Sequence, residues 1–393
     1  MKIALVYDRV NKIGGAERVL ETLHEIWPQA PLYTAVYNPE TAPWAKKFQV
    51  IPSFLNKWPL AKKYHEAYPW LTPLAFESFD FSSFDVVISV TSADAKGIIT
   101  KPSTFHLCYC LTPTRYLWSG YEEYFRNGCF RFLSKPVVNY LRNWDKVAAQ
   151  RPDEYVAISK NVQARIKKYY GRESVVIYPP VVLTEVARRN FDSASDSLAK
   201  ERTLLNEGHR RSQCEASQNL SGSPRANVAS RSYFLIVSRL VPYKRVDIVV
   251  KAFNQLGLPL KIIGTGSEMV SLKNLAKFNI EFLGQLTDKD LLSYYQNCRA
   301  LIFPQEEDFG LVPLEAQACG KPVIAFKGGG ALETVIETKT GTFFYPQTPK
   351  ALIKKLKEFK INDYRPEDCR KNAEKFNKEL FKKKFKQLVY DRF

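Results

Sequence analysis

The feature that most constrains the fold is an alternation of apolar, strand-length segments with segments of helical periodicity. In the first half of the chain, strand-like segments lie at residues 3–8, 85–90, 105–110, 154–158 and 174–178. After the first of them, Val19, Leu20, Leu23 and Ile26 recur at helical spacing. Alternation of this kind predicts a mostly parallel sheet covered by helices.

The same alternation starts again at residue 233. Strand-like segments lie at residues 234–240, 260–266, 280–284, 299–304 and 322–326, with helical segments near residues 246–255, 288–297 and 313–319. A chain of 393 residues exceeds the roughly 250 to 300 residues that one hydrophobic core serves. We therefore predict an α/β protein with two Rossmann-like, doubly wound domains. Ligands bind beyond the carboxyl ends of such strands, so two facing sheets place the site in the cleft between them.

The segment that joins the two series is polar. Residues 184–231 are rich in Ser, Asn, Arg and Glu and contain few large apolar side chains, which favours a flexible linker or insertion. The expected domains are residues 1–183 and residues 232–375. We expect a C-terminal helix, residues 376–393, to join the first domain.

The segment most informative about chemistry is PQEEDFGLVPLEAQACG, residues 304–320. Glu307 and Glu315 lie eight residues apart, and Phe309 and Gly310 between them lead into a predicted helix. A loop that enters a helix in this way directs free backbone N–H groups at an anion. Carboxylates accept hydrogen bonds from vicinal hydroxyls, so Glu307 suits a sugar ring and Glu315 a ribose. The alternative is a surface loop followed by an ordinary helical glutamate.

Two cations follow the first strand of the second series, in SRLVPYKR. Arg239 and Lys244 are placed to bracket a diphosphate leaving group, although a solvated pair is the alternative. Glycine pairs and runs after strands are further candidates for phosphate binding, or are simply tight turns. These glycines are Gly14 and Gly15, Gly264 and Gly266, and residues 328–330.

Together these segments resemble the family 4 retaining glycosyltransferases, which have the GT-B architecture of two Rossmann-like domains facing a central cleft. The chain resembles in particular mannosyltransferases of O-antigen and polysaccharide assembly, several of which use GDP-mannose. The resemblance implies that residues 1–183 form the acceptor side and residues 232–375 the nucleotide-sugar side. The resemblance covers nearly the whole chain outside residues 184–231. It is carried by GGAE at 14–17, SRLVPYKR at 238–245, GTGSE at 264–268, and the Glu307-x7-Glu315 block followed by GKPVIA at 320–325.

The resemblance implies roles for individual residues. Arg239 and Lys244 would hold the donor diphosphate, Glu307 the transferred sugar, and Glu315 the nucleotide ribose. The implied donor-binding residues are Gly264, Gly266, Asp308, Phe309, Gly310, Leu311 and Glu315, and those on the acceptor or phosphate side are Gly14, Gly15 and Arg115. The implied reaction retains the anomeric configuration, uses a nucleotide sugar as co-substrate, and needs neither a metal nor a cofactor. The departing phosphate would assist the incoming hydroxyl of a saccharide or lipid-linked acceptor.

One position departs from the family pattern. In YCLTPTRYLW, residues 109–118, Leu111 stands where the family commonly has a histidine close to the transferred sugar. His106 lies five residues earlier on the same predicted strand. A catalytically impaired paralogue that binds a nucleotide sugar without turnover is therefore an alternative.

Net charge suggests other partners. The chain carries a formal charge of +18, which attracts nucleic acid, anionic lipid or phosphorylated ligands alike. A basic nucleic-acid-binding protein is one alternative, but the sequence has no zinc-finger or RNP-type motif to support it. A nicotinamide-dependent oxidoreductase is another, but the first loop of this chain lacks a full G-x-G-x-x-G. Lysines and aromatic residues interleave over residues 44–63, as on a surface that rests on an anionic membrane. The alternative is a partly buried helical hairpin with solvated lysines. Seven irregularly spaced cysteines and the absence of a signal-like or membrane-spanning segment predict a cytoplasmic protein, peripheral on the membrane at most.

Overall fold

The computed structural model describes residues 1–12, 14–64, 68–124, 128–181 and 233–392. The predicted linker at residues 184–231 lies outside the described residues. Within them, two parallel sheets form separate α/β layers.

The first sheet has seven parallel strands in the order β3-β2-β1-β4-β5-β6-β7. Its strands are β1 (Ile3–Tyr7), β2 (Leu32–Thr34), β3 (Val50–Pro52), β4 (Val86–Thr91), β5 (Phe105–Cys110), β6 (Glu154–Ala157) and β7 (Val175–Val176). The described α-helices of this half are α1 (Gly15–Ile26), α2 (Ala61–Tyr64), α3 (Thr72–Glu77), α4 (Tyr121–Tyr124), α5 (Gly128–Ala148) and α6 (Lys160–Tyr170). The chain reverses its direction of winding after β3, and this places β1 and β4 side by side at the centre.

The second sheet repeats this plan with six parallel strands in the order β10-β9-β8-β11-β12-β13. Its strands are β8 (Phe234–Val237), β9 (Leu260–Ile263), β10 (Ile280–Gly284), β11 (Ala300–Phe303), β12 (Val323–Phe326) and β13 (Gly341–Phe344). Its described α-helices are α7 (Val246–Leu256), α8 (Met269–Leu275), α9 (Asp288–Asn297), α10 (Leu311–Ala318), α11 (Ala331–Thr334), α12 (Pro349–Glu358) and α13 (Pro366–Glu374).

Both sheets are buried on both faces, which explains their nearly continuous apolar strands. Every residue of β4 is buried, and so is every residue of β11. Helices lie on either face of each sheet, and each sheet therefore has a core on both sides. One core, for example, packs Ile236 and Ile262 against Phe253 of α7.

The last helix, α14 (Lys378–Arg392), returns to the first domain. Its Phe381 and Phe385 rings lie 5.9 and 5.6 Å from the ring of Tyr109 in β5. Lys378 and Lys382 both contact the carboxylate of Glu25 on α1, at 3.0 and 2.7 Å. The C-terminal helix thus packs against the first sheet rather than the second.

The strand order of each sheet and the way the two sheets face each other confirm the predicted GT-B architecture. Side chains that follow β1, β4 and β5 and side chains that follow β8 and β11 line one shared cavity. The fold therefore brings the carboxyl ends of both sheets to a single cleft.

Candidate active site in the interdomain cleft

The cleft contains a cavity of about 540 Å³ with walls from both domains. Among the residues predicted for the site, those that line it are Gly15, Arg115, Arg239, Lys244, Glu307, Asp308, Phe309, Gly310 and Leu311. The fold therefore brings together predicted residues that lie nearly 300 positions apart in the sequence. Of the described residues predicted for the site, Gly14, Gly264, Gly266 and Glu315 do not line this cavity.

Lys244 and Glu307 form an ion pair at the centre of the C-terminal wall. The Lys244 ammonium contacts Oε1 of Glu307, and the Gln305 amide donates to the same oxygen at 3.1 Å. Burial raises the pKa of Glu307, but the Lys244 charge and these hydrogen bonds outweigh it, so this pKa lies below its ordinary value. The carboxylate is therefore ionised at neutral pH, next to a buried cation.

Lys244 is placed by a short turn. Pro242 to Lys244 form a single 3₁₀ turn that ends at Arg245, a non-glycine residue with a φ of 52°. The turn keeps Lys244 buried, with 8% of its surface exposed. The sequence between β8 and α7 thus fixes the ammonium at the cleft instead of letting it extend into solvent.

Arg239 lies at the outer part of the same wall. Its Nη2 donates to the hydroxyl of Tyr243 at 2.5 Å, and the Arg115 guanidinium lies 5.4 Å from the centre of the Tyr243 ring. Tyr243 therefore stands between a cation of each domain. With Lys244, these residues place three cations at the cavity, an arrangement suited to a diphosphate.

The loop between β11 and α10 contacts both domains. Arg115 Nη2 lies 2.7 Å from Asp308 Oδ2, and Arg165 on α6 contacts Oδ1 of the same carboxylate. The Ser159 hydroxyl donates to the backbone carbonyl of Asp308 at 2.5 Å. The carboxylate of Asp308 is thus directed at the N-terminal domain, while the residue also lines the cavity.

The next residue, Phe309, is buried between the domains. Its ring stacks on Tyr178 at 5.4 Å and meets Phe376 edge-on at 5.6 Å. Behind it, a Cβ added to Gly330 would lie 2.3 Å from the Cα of Phe309, so only glycine allows this close approach. The glycine run predicted as a phosphate cradle thus supports the backbone of the Glu307 loop.

Helix α10 begins directly at the cavity. Gly310 precedes it with a φ of 94°, a conformation that favours glycine, and Leu311 lines the cavity. In the second turn, the Glu315 carboxylate contacts Arg18 of α1 and accepts a hydrogen bond from the Tyr295 hydroxyl at 2.8 Å. Glu315 is therefore paired across the domains.

The remaining predicted glycines shape the loops around the cavity. A Cβ on Gly264 would lie 1.9 Å from the carbonyl oxygen of Ser238, and one on Gly266 would lie 2.2 Å from that of Leu240. The absence of a side chain at these two glycines leaves room for the backbone of Ser238 and Leu240, on either side of Arg239. A Cβ on Gly15 would lie 3.1 Å from the Leu311 side chain, which brings the start of α1 against the opposite domain.

The position of the family histidine is apolar here. Leu111 lines the cavity and packs against the first-domain core. His106 is buried near the amino end of β5, where its Nε2 lies 2.8 Å from the Ser89 hydroxyl and its Nδ1 has no partner among the described residues. Burial lowers the pKa of His106 to about 3. It therefore does not replace the missing cleft histidine.

Several residues at the domain interface were missed from the sequence. Arg18, Arg165 and Ser159 all contact the C-terminal domain. Only Arg18 had a local signal, because it directly follows the GGAE segment. Arg165 lies in an ordinary basic helix 143 residues before its partner.

Comparison with known proteins finds one family model that matches the second domain. Residues 224–376 match the model described as glycosyl transferases group 1. The matched residues include the whole second sheet and its helices. An uncharacterized glycosyltransferase of Methanocaldococcus jannaschii is 31% identical over 159 residues, which are 39% of this chain and 45% of the relative.

A second relative is named more specifically. The GDP-mannose-dependent monoacylated alpha-(1-6)-phosphatidylinositol monomannoside mannosyltransferase of Corynebacterium glutamicum is 39% identical over 114 residues, 25% of this chain and 30% of the relative. The chain thus matches less than half the length of either relative. The crystal structure of Anabaena HepE in complex with UDP covers 100% of both chains with a TM-score of 0.67 at 18% identity, and this is a likeness of fold.

Proposed function

We propose that this protein is a retaining, metal-independent glycosyltransferase that moves a hexose, with mannose favoured, from a nucleotide sugar to a saccharide or lipid-linked acceptor. The observation that carries the proposal is the buried Lys244–Glu307 pair beside Arg239, in a cleft shared by two Rossmann-like domains. The match of residues 224–376 to the model described as glycosyl transferases group 1 supports the reaction class.

The charges at the cleft fit the departure of a nucleoside diphosphate. As the glycosidic bond to the donor breaks, negative charge grows on the leaving phosphate, and fixed cations stabilise it without reorganisation. Lys244 and Arg239 supply such cations, and the first amides of α10 add partial positive charge. Glu307 would release Lys244 to the phosphate and accept hydrogen bonds from sugar hydroxyls. The incoming hydroxyl would give its proton to the departing phosphate and attack from the face that the phosphate leaves, so the anomeric configuration is kept.

The donor is proposed from the relatives together with the geometry. The corynebacterial relative is named as dependent on GDP-mannose, and HepE was solved with UDP. A thermal-shift screen against GDP, UDP, ADP and their hexose conjugates tests the proposal, because a ligand that binds only the folded state raises the melting temperature. GDP-mannose should give the largest shift. No shift with any nucleotide would refute donor binding.

The mechanism has its own tests. Transfer should proceed in the presence of EDTA, and proton NMR of the first product formed should show the same anomer as the donor. An inverted product would refute the proposed stereochemistry, and activity that is lost with EDTA and restored by a divalent cation would refute metal independence.

A lipid-linked acceptor is favoured by one surface of the N-terminal domain. Phe48 and Leu55 from the predicted membrane-facing region are buried in the structure. Around them, the exposed side chains are Phe54, Trp58, Leu60 and Tyr64 together with Lys57, Lys62 and Lys63. Apolar side chains among lysines suit an anionic membrane surface. Sedimentation with vesicles containing phosphatidylglycerol tests this, and no binding at low salt would refute it.

We place the protein on the cytoplasmic side of that membrane. The described cysteines, among them the buried pair Cys108 and Cys110, are free thiols, as expected in a reducing compartment. Among the described residues, no helix has the length and apolar character needed to cross a bilayer. Cell fractionation checks the location, and recovery from an extracellular fraction would contradict it.

A second candidate function is nucleotide-sugar binding without turnover. Leu111 favours it, because an apolar side chain lines the cavity where the family has a histidine, and His106 is buried elsewhere. Mass spectrometry of nucleotide released from the bound donor, with and without acceptor, separates the two functions. Binding without any release would favour this second candidate.

A further inference from the structure

Three consecutive residues of the loop between β11 and α10 contact different parts of the protein. Glu307 contacts Lys244 in its own domain, while Phe309 stacks on Tyr178 at the domain interface. Between them, the carboxylate of Asp308 is directed at the N-terminal domain. Movement between the domains therefore acts on the residue adjacent to Glu307.

Two arginines of the N-terminal domain converge on Asp308. Arg115 contacts Oδ2 at 2.7 Å, and Arg165 contacts Oδ1. Each of these three side chains is about one-fifth exposed, so water screens the cluster less than it screens a surface pair. Because Ser159 also holds the Asp308 carbonyl at 2.5 Å, both the side chain and the backbone of this residue are fixed by the opposite domain.

Planar donors on both carboxylate oxygens fix direction as well as distance. Arg115 follows β5, whereas Arg165 lies on α6, so the two cations come from separate elements of the N-terminal domain. A rigid-body opening of the cleft would lengthen both contacts together. Asp308 is therefore the residue of the cleft loop on which both arginines act, although Arg165 also contacts Glu306 at 3.2 Å.

We infer that Asp308 is a positioning residue: with Arg115 and Arg165 it locks the two domains together and holds the adjacent Glu307 in the geometry needed for transfer. The domain lock stands on these contacts alone. The effect on transfer rests on the proposed function.

The inference separates binding from turnover. The carboxylate of Asp308 is directed at arginines of the opposite domain, so Asp308→Asn should lower nucleotide affinity much less than it lowers turnover. Turnover should fall on the order of 100-fold, the effect of misplacing reacting groups by about 1 Å. Asp308→Glu keeps the charge and should recover part of the loss.

The first measurement needs no ligand. Small-angle X-ray scattering of the full chain should give a larger radius of gyration for Asp308→Asn than for wild type, with Asp308→Glu in between. Glu281→Gln is the matched control, because Glu281 forms a single ion pair at 2.9 Å with Lys261 away from the cleft and should scatter as wild type does. If Asp308→Asn fails to fold, Arg165→Gln tests the lock from α6 by removing the contacts of this arginine with Asp308 and Glu306.

Scattering of Asp308→Asn and Arg165→Gln identical to that of wild type would overturn the lock. The second measurement is calorimetric titration with GDP and UDP, together with nucleotide release from GDP-mannose and UDP-glucose. Equal losses of affinity and turnover in Asp308→Asn would mean that Asp308 contacts the donor directly and would overturn the positioning role. If wild type binds no nucleotide, the proposed function fails, while the scattering comparison still decides the lock.

Discussion

Replacing Lys244 with methionine removes the cation on which both the donor site and the local charge balance depend. The Lys244 side chain is 10% exposed and that of Glu307 is 22% exposed, so methionine fills the space while the carboxylate loses its partner. An unpaired carboxylate at this depth takes up a proton more readily, and the pKa of Glu307 should rise from its lowered value.

Two energies follow from this change. Breaking a buried ion pair from one side costs about 3 to 5 kcal/mol of folding stability, and partial exposure of Glu307 places the expected loss near 3 kcal/mol. Removing one preorganised charge donor from a leaving group costs about 3 to 4 kcal/mol in the transition state, or roughly 10² to 10³ in turnover. The double variant Lys244→Met/Glu307→Gln leaves no unpaired charge, so it should regain most of the stability and none of the turnover.

Urea unfolding and nucleotide release from the best donor measure the two effects separately. Lys251→Met is the matched control, because Lys251 pairs with Asp247 at 3.3 Å on the exposed side of α7 and should change stability by about 0.5 kcal/mol or less. Wild-type turnover in Lys244→Met would refute the role of this cation. A double variant as unstable as the single one would refute the electrostatic reasoning.

Two further predictions concern the surroundings of the cleft, and a third concerns the buried His106. Gly330→Ala places a methyl group 2.3 Å from the Phe309 backbone, so thermal unfolding should show a loss of about 1 to 3 kcal/mol; an unchanged melting temperature would contradict the close packing. Arg18→Ala removes the side chain that pairs with the Glu315 carboxylate, which frees this carboxylate for a nucleotide ribose. Calorimetry should show roughly fivefold tighter nucleotide binding, about 1 kcal/mol. Weaker binding would mean that Arg18 itself contacts the nucleotide. The pKa of His106 is lowered to about 3 in the folded protein, so between pH 3 and 6.5 the unfolded chain binds more protons at this residue than the folded chain does. The free energy of unfolding therefore rises with pH, by about 2 kcal/mol from pH 5 upward. His106→Gln should lack this increment in urea unfolding at pH 5 and 7, and an identical pH dependence would contradict it.

Long, strongly patterned elements were predictable from the sequence. The strand at residues 105–110 and the helix at residues 288–297 have the predicted bounds, because each has a clear apolar pattern and ends at a recognisable signal. Strands β2 and β3 were missed. Each has only three residues, too few to establish a period of two, and its position is set by pairing with a neighbouring strand.

Most of the residues that line the cleft could also be predicted from the sequence. The ion pairs that their side chains form could not. Arg239 and Glu307 follow adjacent strands, and parallel strands bring such residues to one edge. The pairing of Asp308 with Arg165 depends on how two whole domains face each other, and no local pattern encodes it. The glycines illustrate the same limit, since Gly264 and Gly266 fit a phosphate loop by spacing but lie against the backbone around Arg239.

Calorimetric titration of the cleft with the nucleoside diphosphate and the nucleoside monophosphate of the preferred base tests the central claim most directly. If Arg239 and Lys244 hold the diphosphate, wild type should bind the diphosphate at least about tenfold more tightly, a difference of about 1.4 kcal/mol. The variant Arg239→Ala/Lys244→Met should bind the two nucleotides equally. Equal affinities in wild type, or a preference for the diphosphate that survives in this variant, would contradict the assignment of the cleft as a nucleotide-sugar site.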